Sequence, residues 1–404
     1  MPVLLLIVCI NFVGVGALIP ILPYTILESM GQPASVMTLL LASFALAMFV
    51  ANPIPGRLSD HIGRRRVLFF SLALTGVAHF WFAMSDELWQ LFLARILAGI
   101  GSGNTGVIQA MITDRTSREK RAQYMGLLGA AIGVGFVAGP ALGGLLSHFG
   151  NGPLYQVPFL MASGFAFVAL FMTSWLKYVD RERLAPEHRG DAGTAVSRLR
   201  VLMASPLALY AIASLALNLS FAQVEASFVL VLRDYLGFGA IETGWLFTYI
   251  GVCIIVVQAV LIKSVVSRFG EVGTTLLGTC LLALGQIATV LIVTGLFVGN
   301  AYPLLQTLLG ATAICFGFAL STPAITAAVS KIAGETVRGG SLGTIQGFGS
   351  LGQVVGLSVA GPLYDLGGSQ FPFGFGAVVT LLLVCLVPYL CLLYTSDAAD
   401  DLRG

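Results

Sequence analysis

The stretch GRLSDHIGRRRVL, residues Gly56–Leu68, decides the fold predicted for this chain. It is a short polar segment between two long apolar runs, and it holds one carboxylate, Asp60, and three consecutive arginines, Arg64, Arg65 and Arg66. So many charges cannot lie in hydrocarbon, and basic residues beside a membrane span belong on the cytoplasmic side. The stretch is therefore a cytoplasmic loop, and it orients every other span.

The composition of the whole chain is that of an integral membrane protein. Of its 404 residues, 57% are hydrophobic and only 10% are charged, whereas soluble proteins carry roughly 25% charged residues. The net charge of +2 gives no reason to expect a nucleic-acid partner. All six cysteines lie in apolar runs without a CxxC pair, so we expect neither disulfides nor a metal site.

Twelve apolar segments approach the length of about 20 residues that a bilayer crossing requires. They lie at residues 3–24, 36–54, 67–85, 88–112, 123–146, 156–176, 206–232, 241–262, 273–296, 302–328, 339–362 and 371–394. We therefore predict an all-α integral membrane protein with twelve transmembrane helices. Its parts are an N-terminal six-helix bundle at 1–176, a cytoplasmic linker at 177–205, a C-terminal bundle at 206–394 and a tail at 395–404. The abrupt change of composition in the tail suggests a non-native end.

The distribution of basic residues predicts that both termini are cytoplasmic. Of the 21 lysines and arginines, all but Arg95 and Arg233 fall in loops, the linker or the tail on one side of the twelve predicted spans. Such an excess of positive charge marks the cytoplasmic face.

The two halves of the chain echo each other. Four glycines of the fifth span recur in the eleventh span at a constant offset of 217; they are Gly126, Gly135, Gly139 and Gly144, followed by Gly343, Gly352, Gly356 and Gly361. Residues 266–271 are a partial copy of the first loop at an offset of 207, in which Ser267 replaces the aspartate. Transporters built from such parallel repeats bind substrate near the bilayer midplane, between the halves.

Three motifs make the chain resemble a known family. They are Gly56-x-Leu58-Ser59-Asp60-His61-x-Gly63-Arg64-Arg65-x-x-Leu68, Arg95-x-x-x-Gly99-x-Gly101-x-Gly103 in span 4, and Gly126-x8-Gly135-x3-Gly139-Pro140-x2-Gly143-Gly144 in span 5. With the repeat, they resemble the major facilitator superfamily over about residues 3–394. Within it the chain looks most like the twelve-span drug–proton antiporters, and among these like the tetracycline-efflux branch.

This resemblance implies two pseudo-symmetric six-helix bundles that work by alternating access. It implies export of an amphipathic organic compound in exchange for protons, by a monomer in the bacterial inner membrane. The expected partners are the substrate, protons and the lipid bilayer. No GxxxxGK[ST] loop, catalytic triad or cofactor fingerprint occurs, so we expect the proton gradient to be the driver, no cofactor and no enzymatic activity. The alternatives are an importer or sugar exporter of the same fold, or a non-transporting sensor, against which the short loops argue.

The resemblance also implies that the first loop is a cytoplasmic gate. Its residues are Gly56, Asp60, Gly63, Arg64, Arg65 and, at the end of span 4, Asp114. Asp60 would face the N-terminus of span 11, where the helix dipole favours a carboxylate. Arg64 would pair with Asp60 or with Asp114. The alternative is that the arginines only orient the chain and anchor it to lipid headgroups.

Arg95 is a lone arginine inside a predicted span, which costs about 2.5–3.5 kcal/mol on insertion scales. We expect it to face the central cavity or span 1 and to organise Asn11, Asn104 and Gln109; the alternative is that it snorkels to the interface. Tetracycline exporters typically carry an aspartate where this chain has Asn11. An amide cannot release a proton, so another group must carry it.

Glu225 is the candidate for that role, because it is the only carboxylate well inside a predicted span. Low dielectric favours the neutral form of a carboxyl group, which suits a proton carrier. Asn218 lies seven residues earlier on the same helix face, and Gln223 lies two residues earlier. The alternative is a residue near the outer end of span 7 that pairs with Arg233.

Span 5 carries a stripe of small residues. Gly135, Gly139 and Gly143 recur every fourth residue, so one face of the helix is nearly bare backbone and permits close helix packing. Pro140 removes the hydrogen bond to the Phe136 carbonyl and bends the helix. The motif, completed by Gly126 and Gly144, predicts a close-packed contact between the halves; the alternative is plain close packing.

Overall fold

The computed structural model describes residues 1–149, 156–176, 207–296, 302–332 and 338–400. These residues are almost entirely helical and contain no strand. The predicted linker at 177–205 lies outside them. The helix of the last predicted span continues through residue 400, into the predicted tail.

In the described part of the chain, eight α-helices of ten or more residues precede the predicted linker, and six follow it. The first eight are α1 Pro2–Leu18, α2 Ala34–Ala51, α3 Pro53–Ile62, α4 Arg64–Ala83, α5 Leu88–Ser102, α6 Thr105–Arg115, α7 Arg118–Leu146 and α8 Gln156–Trp175. The others are α9 Leu207–Leu236, α10 Ala240–Val256, α11 Ile262–Val293, α12 Pro303–Ile332, α13 Arg338–Gly367 and α14 Gln370–Asp400. Two π-helical turns, Tyr24–Ser29 and Val257–Leu261, lie between these elements.

The chain divides into two compact units. The first comprises Met1–Arg183 and Leu232–Val252, and the second comprises Leu184–Val231 and Cys253–Gly404. Residues 232–252 therefore pack with the first unit, although they follow the linker in sequence. The physical reason is a close approach of α10 to α7, described below with the glycines.

Ten stretches of the described residues are long and apolar enough to cross a membrane. One of them, Ala240–Val293, has 54 residues and would measure about 80 Å as a straight helix, more than twice the hydrocarbon thickness of roughly 30 Å. Gly270 interrupts it with non-helical angles, φ 67° and ψ 178°. The helix α13 coincides with the predicted eleventh span but is not among the ten. The chain is thus an all-α membrane protein, and the count of twelve crossings stays a prediction.

A buried apolar cluster in the first unit sets the position of residues 56–68, which are predicted to be cytoplasmic. Leu4 and Ile7 of α1 pack with Leu68 of α4 and Met111 of α6, all at most 2% exposed. Because these helices are apolar over most of their surface, contact between them replaces contact with lipid. The cluster brings the N-terminal end of α4 beside the C-terminal end of α6.

Candidate functional site

The stretch predicted to be a cytoplasmic loop is instead helical on both sides of a single glycine. Gly63 separates α3 from α4 and adopts φ 99°, a backbone conformation that side chains other than hydrogen disfavour. The sharp turn places Asp60, in the last turn of α3, close to Arg64, the first residue of α4.

Arg64 lies between the two carboxylates that the sequence offered as alternatives. Its Nε is 2.5 Å from Oδ2 of Asp114, and its Nη2 is 3.6 Å from Oδ1 of Asp60. The Asp114 contact joins α4 to α6 and is the closer of the two. The three side chains are 22%, 29% and 40% exposed, for Arg64, Asp114 and Asp60 respectively, so solvent screens the pairs partly. The predicted approach of Asp60 to span 11 stays a prediction.

Arg65 has a different role from its neighbour. Its Nε donates a hydrogen bond of 3.0 Å to the carbonyl of Thr173, and its Nη2 donates to the carbonyl of Ser174. Both carbonyls belong to the last turn of α8, where a cation is favoured by the helix dipole. Arg65 therefore connects α4 to the end of α8. At Gly56, another residue of the predicted gate, a Cβ would have open space around it.

Arg95 is buried against an aromatic ring rather than extended to the surface. The residue is 8% exposed, and its Cζ lies 4.5 Å from the ring centroid of Phe44 in α2, within the range of a cation–π interaction. Asn11 and Asn104 are also buried, but the Asn104 amide donates to the Gly101 carbonyl of its own segment. Gln109 is exposed.

In the second unit, Glu225 reaches across to another helix. It is half-buried on α9, and its Oε2 accepts a hydrogen bond of 2.9 Å from Nε2 of Gln353 on α13. Gln353 was not among the residues that the sequence singled out, because a lone glutamine in an apolar helix carries no motif. Through this contact, the neutral side chain of Gln353 is a hydrogen-bond partner of Glu225.

Gln223 and Asn218 face the same helix. The Gln223 side chain is fully buried, and its amide donates to the carbonyl of Gly356 at 2.9 Å. Asn218 donates to the Ser214 carbonyl in its own helix, and its amide nitrogen would lie 2.9 Å from a Cβ at Gly349 of α13. All three polar residues predicted on span 7 therefore lie along its contact with α13.

The glycine stripe of α7 packs on α1 within the first unit. A Cβ at Gly135 would lie 2.6 Å from Cβ of Phe12, and one at Gly139 would lie 2.6 Å from the Val13 carbonyl oxygen. A Cβ at Gly143 would overlap the carbonyl of Ala17. The two backbones therefore approach as closely as glycine allows.

A second face of α7 packs on α10. A Cβ at Gly144 would lie 2.7 Å from the Ala240 carbonyl oxygen, and one at Gly244 would lie 2.5 Å from the Pro140 carbonyl oxygen. The Thr248 hydroxyl donates to the Val137 carbonyl at 3.0 Å. Residues of the motif thus contact α1 on one side and, after the linker in sequence, α10 on the other. Gly126, by contrast, lies in open space.

The second unit contains an ion pair that the sequence reading missed. Glu271, only 8% exposed, pairs with Nζ of Lys331. Glu271 stands at the offset of 207 from Arg64, and Lys331 stands at the offset of 217 from Asp114. Gly270, with φ 67°, corresponds to Gly63 in the same way. The pair is a copy of the first unit's ion pair with the charges exchanged, and the repeat offsets were the signal that could have revealed it.

Comparison with known proteins agrees with this architecture. Residues 4–313 match the profile of the Major Facilitator Superfamily. Multidrug resistance protein 1 of Bacillus subtilis (strain 168) is 31% identical over 377 residues, which cover 92% of this chain and 91% of that protein. Tetracycline resistance protein, class C, of Escherichia coli is 29% identical over 396 residues, covering 94% and 93% of the two chains.

Solved structures show the same fold at lower identity. The nucleoside transporter NupG superposes with a TM-score of 0.79 at 13% identity, covering 96% of this chain and 98% of that one. The human organic anion transporter MFSD10 (TETRAN) superposes with a TM-score of 0.69 at 22% identity and the same coverage. The chain therefore belongs to the major facilitator superfamily of membrane transporters.

Proposed function

We propose that this transporter expels an amphipathic organic compound, tetracycline-like in character, in exchange for protons. The chain is a multi-pass membrane protein and not an enzyme, and its expected site of action is the bacterial inner membrane with both termini cytoplasmic. Relatives over nine-tenths of the chain are drug-resistance proteins. The proton gradient, and no cofactor, would supply the energy.

The observation that carries proton coupling is the position of Glu225. A carboxylate inside an apolar helix is energetically costly, and such a residue by default suggests a functional site. Glu225 is half-buried and has an amide partner on a neighbouring helix. A carboxyl group in this position can bind a proton on one side of the membrane and release it on the other. Glu225 would thus carry the proton in place of the aspartate that tetracycline exporters typically have at the position of Asn11.

The cytoplasmic ion pairs supply the proposed gate. Arg64 joins α4 to α6 through Asp114, and Asp60 remains the most exposed member of the group. A carboxylate with this exposure can take part in contacts that form and break during the transport cycle. The alternative of lipid anchoring fits Arg66, which is exposed, better than it fits Arg64.

Accumulation of tetracycline in an efflux-deficient bacterial host tests the proposal. Cells expressing the chain should accumulate less drug than vector-only cells, and a protonophore should abolish the difference. Higher accumulation in the expressing cells would indicate an importer. Equal accumulation before and after the protonophore would refute proton-driven efflux of this compound.

A further inference from the structure

The second unit contains an open cavity of about 600 Å³ that no part of the proposed proton path uses. This volume lies within the range of about 300–1,000 Å³ that small-molecule sites occupy. Eight described residues line it: Gln258, Ile262, Thr322, Pro323, Thr326, Ala327, Ser330 and Leu342.

The backbone is irregular on both sides of this cavity. Gln258 lies in the π-helical turn Val257–Leu261, a type of turn that frequently marks functional sites. On α12, Pro323 has no N–H and deprives the Ala319 carbonyl of its helical hydrogen bond. Both features reduce helix stability. Their presence beside the cavity is therefore consistent with a functional site there.

Polar groups line one wall of the cavity. Thr322, Thr326 and Ser330 recur every fourth residue and therefore share one face of α12. Thr326 and Gln258 are exposed although both lie in helices of predicted spans. Amide and hydroxyl groups in such positions are expected to face a wet cavity rather than lipid.

Thr322 provides the most specific observation. Its hydroxyl oxygen is buried and has no hydrogen-bond partner, whereas the Thr326 hydroxyl donates to the Thr322 carbonyl at 2.9 Å. A buried polar atom without a partner is destabilising. Thr322 itself lines the cavity, so rotation about its Cα–Cβ bond can present this unpartnered hydroxyl group to a ligand there.

Apolar side chains complete the lining of the cavity, and one of them, Ile262, packs on a buried cluster. Val257, Ala319 and Leu320 form a buried cluster against which Ile262 packs. Among the described residues that line the cavity, none is charged and none is aromatic. Recognition there would use hydrogen bonds to neutral groups beside apolar side chains, and neither ion pairing nor ring stacking.

We propose that this cavity binds the uncharged, oxygen-rich part of the exported compound, with Gln258, Thr322 and Thr326 as specificity-determining residues. The inference rests on the proposed function and adds a chemical preference to it. A compound with several hydroxyl or carbonyl groups would be favoured over a lipophilic cation of similar size that lacks them.

Tetracycline uptake into everted vesicles, energised by a proton gradient, tests the site. The variants are Gln258→Leu, Thr322→Val and Thr326→Val, and the matched control is Thr312→Val, on the same helix but outside the described lining. Each of the three is expected to raise the KM about two- to tenfold, as the loss of one hydrogen bond predicts, with kcat unchanged. Thr312→Val should leave both unchanged.

Two further measurements separate binding from folding. Thr322→Val should raise the unfolding temperature of the purified protein, because it removes an unpartnered buried hydroxyl group, even as it weakens uptake. Tetraphenylphosphonium, a cation without hydrogen-bonding groups, should compete with tetracycline only weakly.

The outcomes distinguish the two proposals. No tetracycline uptake by wild-type vesicles would overturn the proposed function and this site with it. Wild-type uptake with an unchanged KM in all three variants would overturn the site alone. Strong competition by tetraphenylphosphonium that persists in Gln258→Leu would overturn the proposed chemical preference.

Discussion

Glu225 can keep its hydrogen bond with Gln353 in either protonation state. Its neighbours along α9, Val224 and Ala226, are buried and apolar, while the Gln353 amide donates a hydrogen bond to its carboxylate. A protonated carboxyl group keeps a carbonyl oxygen that accepts the same bond. The contact therefore need not break when a proton binds.

Replacement of this one residue tests whether it carries the proton. In Glu225→Gln we expect proton-driven uptake into everted vesicles to fall to the level seen without a gradient. Exchange of labelled for unlabelled substrate should persist, because it needs no net proton movement. The control is Asp86→Asn, an exposed carboxylate between the third and fourth predicted spans. Full coupling in Glu225→Gln would exclude this residue as the carrier.

At the scale of elements, the glycines of α7 determine how closely helices approach. The carbonyls of α1 and α10 occupy the space where side chains would stand. Neither backbone can move without displacing a whole helix, so small substitutions at these glycines are costly.

Two alanine variants on this helix should change the stability of the protein in opposite directions. Gly143→Ala would drive a Cβ into the Ala17 carbonyl, and overpacking of this kind costs about 1–3 kcal/mol. Gly126→Ala meets open space and should stabilise the helix by about 0.5–1 kcal/mol. Thermal unfolding in detergent measures both. Equal stability of the two variants would contradict the close packing of α7 on α1.

The charge-exchanged ion pair makes a second prediction at this scale. Lys331→Ala leaves the buried Glu271 carboxylate without its ammonium partner, which should cost about 1–3 kcal/mol. The double variant Glu271→Lys with Lys331→Glu should recover most of the loss, because the attraction is restored with opposite signs. Unfolding in detergent gives the stabilities of the single variants Glu271→Lys and Lys331→Glu and of the double variant. Purely additive effects would show that the two residues do not interact.

At the scale of the whole molecule, the arginine triplet predicts the orientation of every helix. Positive charge on short loops is retained in the cytoplasm during insertion. If residues 56–68 lie inside, as predicted, we expect the turn between α4 and α5 to lie outside.

Cysteine labelling tests this orientation. His61→Cys should react with a membrane-impermeant maleimide in everted vesicles and not in intact cells, and Glu87→Cys should show the reverse. Both positions are exposed, so a failure to react would not follow from burial. Labelling of His61→Cys in intact cells would invert the proposed topology.

The sequence by itself determined the fold class and the family. Runs of about 20 apolar residues leave few stable alternatives to membrane helices, and the loop motif with the span 5 glycines indicated the family now shown by comparison. These features are local in sequence, because they depend on hydropathy and on the spacing of residues within one helix.

Only the tertiary structure decided which residues the charged and polar side chains contact. It showed that Arg64 contacts both Asp60 and Asp114, that Arg95 lies over Phe44, and that Gln353 bonds Glu225. It also revealed Glu271 with Lys331, which the repeat offsets encoded but charge alone could not identify. The physical reason is that such contacts depend on how helices rotate and approach one another, and an apolar helix offers several faces of nearly equal hydrophobicity from which sequence cannot choose.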